Sequence, residues 1–189
     1  KNLFSSTQIP LIATCRKRTS TEAIEALSAG ASYLDINLMT FKKFPQNDKE
    51  LIIRKNTKLI LSFHDFTATP SLELLSQIYK EAVSEGADIV KIATTASSKE
   101  DVDKIFELYK LQRGGKLGKI VPLEAFAMGS EFQYTRLAAH NIGAPFIYCA
   151  LRKRSVVAPG MFVVDEFEKL FPKFNIKGEI DIPASKSIA

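Results

Sequence analysis

Short apolar runs recur along the chain at Pro10–Cys15, Tyr33–Asn37, Lys58–Phe63, Asp88–Ile92, Lys119–Leu123 and Pro145–Cys149, each bounded by turn or charged residues. Runs of this length and composition predict strands. Amphipathic stretches lie between them, at Thr21–Ala29, Ser71–Glu85, Lys99–Lys110 and Glu131–Ala139, and a further helix is expected over Val163–Leu170. In the second, Leu72, Leu75, Ile78, Tyr79 and Ala82 recur at helical spacing, and Ser71 follows Pro70 where the helix opens. Apolar strands alternating with helices predict a parallel sheet buried on both faces. Gly30-Ala31 and Gly86-Ala87 repeat one device just ahead of a strand: a glycine ends the helix and a small residue leads on. The repetition favours an α/β fold of the (β/α)8 barrel type over an open sheet. Six strands are visible, two short of the usual eight in about 250 residues. Either two N-terminal strands are absent from this chain, or segments are missing within it, with the tight Arg16–Thr21 connection as the suspect place.

Composition narrows the class. The 189 residues, 46% hydrophobic and 25% charged, suffice for one domain with a substantial core. The formal charge of +5 comes from scattered Lys and Arg interleaved with acidic residues, a pattern that argues against nucleic acid and for a small anionic substrate. No apolar run approaches the roughly 20 residues of a membrane span, and the N-terminus lacks the order of a signal peptide, so no membrane partner is expected. Cys15 and Cys149 sit in strand-like runs, as buried free thiols of a reducing compartment do. The expected location is the cytoplasm, or an organelle for a form whose address has been removed. The barrel is expected over residues 1–172, and the tail 173–189 reads as a frayed terminus, a linker or the opening of a second unit.

In a barrel, catalytic groups stand at the C-terminal ends of strands, and Arg16, His64, Lys91 and Met128-Gly129 all fall at or just after such ends. A lysine within Ile-Val-Lys-Ile is held from water, which lowers its pKa and leaves neutral amine to attack a ketone. Equally compatible with its position is a lysine that snorkels or pairs with a carboxylate such as Asp88. His64 has the ordinary pKa for moving protons near neutrality, though a lone histidine is more often structural. Arg16 and Arg136 are candidates to clamp a substrate carboxylate. His140 reads as surface, Arg152-Lys153-Arg154 as a solvated loop, and Ala158-Pro-Gly160 as a lid or an ordinary tight turn. No spacing suggests a metal site or a phosphate-binding glycine loop.

Six stretches in order carry a resemblance: Pro10–Arg16, Tyr33–Leu38, Ser62–Phe66 with Thr69-Pro70, Gly86–Thr95, Met128-Gly129 through Arg136, and Ala158–Gly160. Together, over about residues 9–171, they resemble type I 3-dehydroquinate dehydratase, a Schiff-base enzyme of the shikimate pathway, and Gly86–Thr95 is similar to the plant-type bifunctional enzymes. The resemblance implies a lyase that converts 3-dehydroquinate to 3-dehydroshikimate, with Lys91 forming the imine and His64 moving the proton. It also implies substrate-binding positions at Arg16, Arg136, Asn37, Met128 and Met161, with no metal or organic cofactor, and makes a plastid the organellar alternative. Three departures stand out: Asn37 where the family has Glu, Val157 and Met161 in the lid, and no counterpart before Ile9 of a Glu and an Arg that bind substrate hydroxyls. They motivate an alternative, a weakened binding or scaffold domain; a class I aldolase-type barrel is a third. Gly178–Ile188 resembles the opening of shikimate dehydrogenase or of 5-enolpyruvylshikimate-3-phosphate synthase, which implies a fusion to another domain of the pathway; a homodimer is the alternative assembly.

Overall fold

The structure, a computed structural model, describes residues 9–54 and 56–170, so the expected linker or second unit at 173–189 lies outside the described residues. The strands are β1 (Ile12–Cys15), β2 (Tyr33–Asn37), β3 (Lys58–Asp65), β4 (Ile89–Thr95), β5 (Leu123–Met128), β6 (Cys149–Ala150) and β7 (Phe162–Val163). The helices are α1 (Ser20–Ser28), α2 (Leu38–Phe41), α3 (Gln46–Ile53), α4 (Leu72–Ser84), α5 (Lys99–Arg113), α6 (Tyr134–Asn141) and α7 (Val164–Leu170). β1 to β5 form one parallel sheet in sequential order, and β6 pairs with β7 in a second. Sequential order with helical crossovers is the winding of a β/α barrel; a doubly wound sheet would reverse its order part-way.

The two-residue period of the strands sorts the side chains. Leu34, Ile36, Leu59, Leu61, Val90, Ile92, Leu123 and Ala125 pack with Leu75, Ile78, Tyr79, Val102, Ile105 and Leu108 of α4 and α5 in the main core. The alternate positions, including Asp35, Ser62, Lys91, Ala93, Glu124, Phe126 and Met128, are therefore turned to the other face, the barrel interior. The helix starts follow local chemistry: the hydroxyls of Ser71 and Ser98 accept from the backbone N–H groups of Leu74 and Asp101. Gly86 closes α4 at φ +94°, a conformation that favours glycine, and a Cβ there would sit tightly, 3.0 Å from Cδ1 of Ile53 on α3.

Four expectations are corrected. The fifth strand is Leu123–Met128, not Lys119–Leu123. Residues before Pro122 are held by helix side chains instead: the Val121 N–H donates to the Tyr79 hydroxyl (2.8 Å), and the Val121 carbonyl accepts from that hydroxyl (2.9 Å) and from Gln112 Nε2 (2.9 Å). The same device continues along β5. Ala125 exchanges hydrogen bonds with the Tyr109 hydroxyl, and the Ala127 N–H donates to Thr135 Oγ1 at 3.0 Å. The sixth strand is likewise shorter and later than Pro145–Cys149 suggested. In addition, α2 and α3 fill the connection where no helix was expected; their buried apolar residues Leu38, Phe41 and Ile52, with Phe44 between the two helices, are too sparse among Lys, Asn, Asp and Glu to show a helical stripe. His140, expected on the surface, is half-buried with Nδ1 3.1 Å from the Ala144 carbonyl.

Candidate active site

Lys91 sits in the middle of β4, in register with Ser62 on β3 and Glu124 on β5. It is 8% exposed, and its Nζ donates to Asp35 Oδ2 at 2.7 Å. The ring of Tyr148 faces the same nitrogen with its centroid 4.4 Å away, a cation–π contact. The carboxylate that meets Lys91 is thus Asp35, two strands away, and not Asp88. Asp88 turns outward to accept from the Leu59 N–H and to pair with Lys58.

Glu124 is 1% exposed and accepts from the Phe146 N–H at 3.0 Å, which ties the segment carrying Phe146 and Tyr148 to β5. Burial pushes its carboxyl up to about 8, against the lowering pull of that hydrogen bond, Lys91 and Arg136. Arg136 on α6 is 2% exposed and lies 4.0 Å from the Phe126 ring centroid, and its Nε and Nη2 have no hydrogen-bond partner. Burial lowers its pKa to about 10, so it remains cationic at neutral pH. Asp35 balances Lys91, whereas Glu124 holds its proton at pH 7. The interior therefore keeps an uncompensated guanidinium, which favours an anion.

His64, near the end of β3, is half-buried and stacks on Phe66 with centroids 5.9 Å apart and planes 9° from parallel. Burial lowers its pKa first, then the charges of Lys91 and Arg16, which together outweigh the opposing pull of Asp35. The ring is therefore neutral near pH 7 and able to accept a proton. Following β3, Asp65 accepts from the N–H groups of Thr67 and Ala68, and Thr69 reaches across to Thr94 and the Thr95 carbonyl, so the loop beside His64 is pinned to β4.

The sequence profile of the Type I 3-dehydroquinase family matches residues 1–176. The chain belongs to that family. It is 35% identical over 150 residues to the 3-dehydroquinate dehydratase of Desulfotalea psychrophila, covering 79% of this chain and 65% of that protein. Against the enzyme of the same name from Methanocaldococcus jannaschii it is 33% identical over 158 residues, 81% of this chain and 66% of that one. The chain thus spans slightly less than two thirds of those relatives. In fold it is similar to the type I 3-dehydroquinate dehydratase of Clostridium difficile solved with covalently modified comenic acid (TM-score 0.71, 22% identity, 87% of this chain and 68% of that one). It is equally similar to the Geobacillus kaustophilus enzyme (TM-score 0.71, 22% identity, 90% and 70%).

Within this chain the residues expected from sequence fall into separate places. Lys91 and Arg136 are buried on the interior side, and His64 and Arg16 stand at the strand ends above them, Arg16 exposed yet close enough to act on the histidine electrostatically. Met128 ends β5, buried against Ala93, Phe126, Tyr148 and Ala158. Met161 lies in the expected lid, which is docked on the neighbouring loop: the Gly129 N–H donates to the Pro159 carbonyl at 3.3 Å. Gly160, at φ +72°, passes so close that a Cβ would collide with the Gly129 carbonyl oxygen. Asn37 stands apart, because its Oδ1 accepts from the N–H groups of Met39 and Thr40 and caps α2.

Three residues were missed. Asp35 was visible as an acid inside an apolar strand, and Tyr148 lay inside the Pro145–Cys149 run, but neither carried a spacing cue. Glu124 was hidden by the misplaced strand, which put it in a loop; counted from Leu123 to Met128, it is an interior position.

Proposed function

We propose that this chain carries the Schiff-base site of an enzyme that dehydrates 3-dehydroquinate to 3-dehydroshikimate. The observation that carries the reading is Lys91, buried in a barrel strand with Asp35 at 2.7 Å and an unpartnered Arg136 guanidinium in the same interior. Asp35 is placed to take the proton that Lys91 must lose before its amine attacks the ketone carbon. The carbinolamine then loses its hydroxyl as water to give an imine, whose protonated nitrogen draws electrons from the adjacent carbon. His64 removes the proton from that carbon and returns it to the departing hydroxyl, so a second water leaves and a double bond forms. Hydrolysis of the imine consumes one water, releases the product and restores Lys91. Arg136 holds the carboxylate, and Arg16 adds positive charge at the mouth.

Borohydride added with 3-dehydroquinate should reduce the imine and leave a stable adduct on the peptide containing Lys91, seen by mass spectrometry, and Lys91→Met should leave none. An unmodified Lys91 under conditions that label a relative would sink the reading.

One observation favours the weakened-domain alternative. Asn37 uses its side-chain oxygen to cap α2, and His64 is positioned by stacking on Phe66 with no carboxylate hydrogen-bonded to it. A base held this loosely loses orientation, and with it rate. Product binding by calorimetry without turnover would select that reading.

A further inference from the structure

Buried hydroxyls are used fully elsewhere in this chain: those of Tyr79, Tyr109 and Thr135 each bond to backbone groups of the β5 segment. The Tyr148 hydroxyl is different. It is buried without a hydrogen-bond partner, a condition shared, among the buried side-chain atoms described, only by Nε and Nη2 of Arg136. Packing does not explain it, because a phenylalanine would supply the same face to Lys91 and the same edge contact with Phe146, whose centroid is 6.2 Å away. A buried hydroxyl without a partner is costly, so its retention points to a partner that arrives with the ligand.

We propose that Tyr148 is a specificity-determining ligand contact: with the ketone carbon joined to Lys91 and the carboxylate on Arg136, its hydroxyl donates a hydrogen bond to a hydroxyl oxygen of the bound keto acid. The proposal rests on the Schiff-base reading above. With the Tyr148 ring face 4.4 Å from the Lys91 nitrogen, a carbon skeleton attached to that nitrogen lies beside the ring that carries the phenol oxygen. Burial, Asp35 and Glu124 all raise the phenol pKa, so the group remains a proton-bearing donor. Together these atoms read three features of one molecule: ketone, carboxylate and hydroxyl. A site that hydrogen-bonds a ligand hydroxyl rejects analogues that lack it, because the protein group is then left unpaired.

The test compares wild type with Tyr148→Phe, using calorimetric binding of 3-dehydroshikimate and of 3-oxocyclohex-1-ene-1-carboxylate, which keeps the ketone and carboxylate but has no hydroxyl. Tyr148→Phe should weaken 3-dehydroshikimate by about 5- to 100-fold and leave the hydroxyl-free acid unchanged. Its melting temperature without ligand should be equal or higher, since an unpaired buried polar atom has gone. Equal affinities of the two proteins for 3-dehydroshikimate overturn the proposal, as does an equal loss for both ligands. Borohydride trapping in the wild type is read separately: no adduct on Lys91 refutes the Schiff-base reading, while the affinity comparison still judges Tyr148. Failure of the wild type to bind either acid overturns both.

Discussion

Asparagine in place of Asp35 removes the charge that faces Lys91 and changes side-chain volume little. The two side chains are 2% and 10% exposed, so solvent does not screen the ammonium left behind. Breaking a buried pair from one side costs about 3 to 5 kcal/mol, because the remaining charge is uncompensated. Glu124 is the neighbour able to stand in, but it holds its proton up to about pH 8. The full penalty is therefore expected at pH 6, and a smaller one at pH 9, where Glu124 ionises and supplies a counter-charge. Urea unfolding of wild type, Asp35→Asn, Lys91→Met and the double variant at both pH values measures it. The double variant should recover most of the loss, since a buried pair replaced as a unit is nearly neutral. A cost below about 1 kcal/mol at pH 6, the range of an exposed pair, would refute the reasoning, as would single losses that simply add in the double.

Glu124→Gln tests the raised carboxyl. The unfolded chain loses this proton near 4.5 and the folded protein near 8, so the folded state binds more protons in that window and stability falls as pH rises through it. Glutamine should abolish a slope on the order of 3 to 5 kcal/mol and be the more stable protein at pH 8; identical denaturant midpoints of the two proteins at pH 5 and 8 would contradict this. His64→Ala should lower kcat by about a hundred- to ten-thousand-fold while leaving borohydride trapping at Lys91 intact. Because the His64 pKa lies below its ordinary 6.5, wild-type kcat/KM should fall only on the acid side of that value, and an inflection above it would exclude His64 as the base. Gly160→Ala should undock the 158–161 loop from Gly129, raising KM with little change in global melting temperature; faster hydrogen exchange confined to those amides would show it.

The fold was legible wherever burial and period agreed. The Asp88–Ile92 run announced β4, and with it Lys91, because a charge inside continuous apolar sequence is conspicuous. Lys119–Val121 misled for a physical reason: Ile120 is exposed, and Val121 is buried with the hydroxyl of Tyr79 and the amide of Gln112 taking the place of a strand neighbour. Pairings across the barrel were not legible. Asp35 and Lys91 are 56 residues apart, and only the parallel pairing of β2 and β4 on either side of β3 brings them together. Asn37 shows the reverse: the resemblance marked it as a binding position, while its local role as a helix cap follows from its placement one residue before α2.

The hydroxyls along β5 have a consequence for how the protein behaves in a crowded solution. A strand at the margin of a sheet ordinarily offers a row of amides and carbonyls on which a foreign strand can template. Here Tyr109 and Thr135 occupy that row at Ala125 and Ala127 with their own oxygens. These two side chains satisfy backbone groups that a foreign strand would otherwise use, so removing either oxygen should leave a bare amide and carbonyl at that margin.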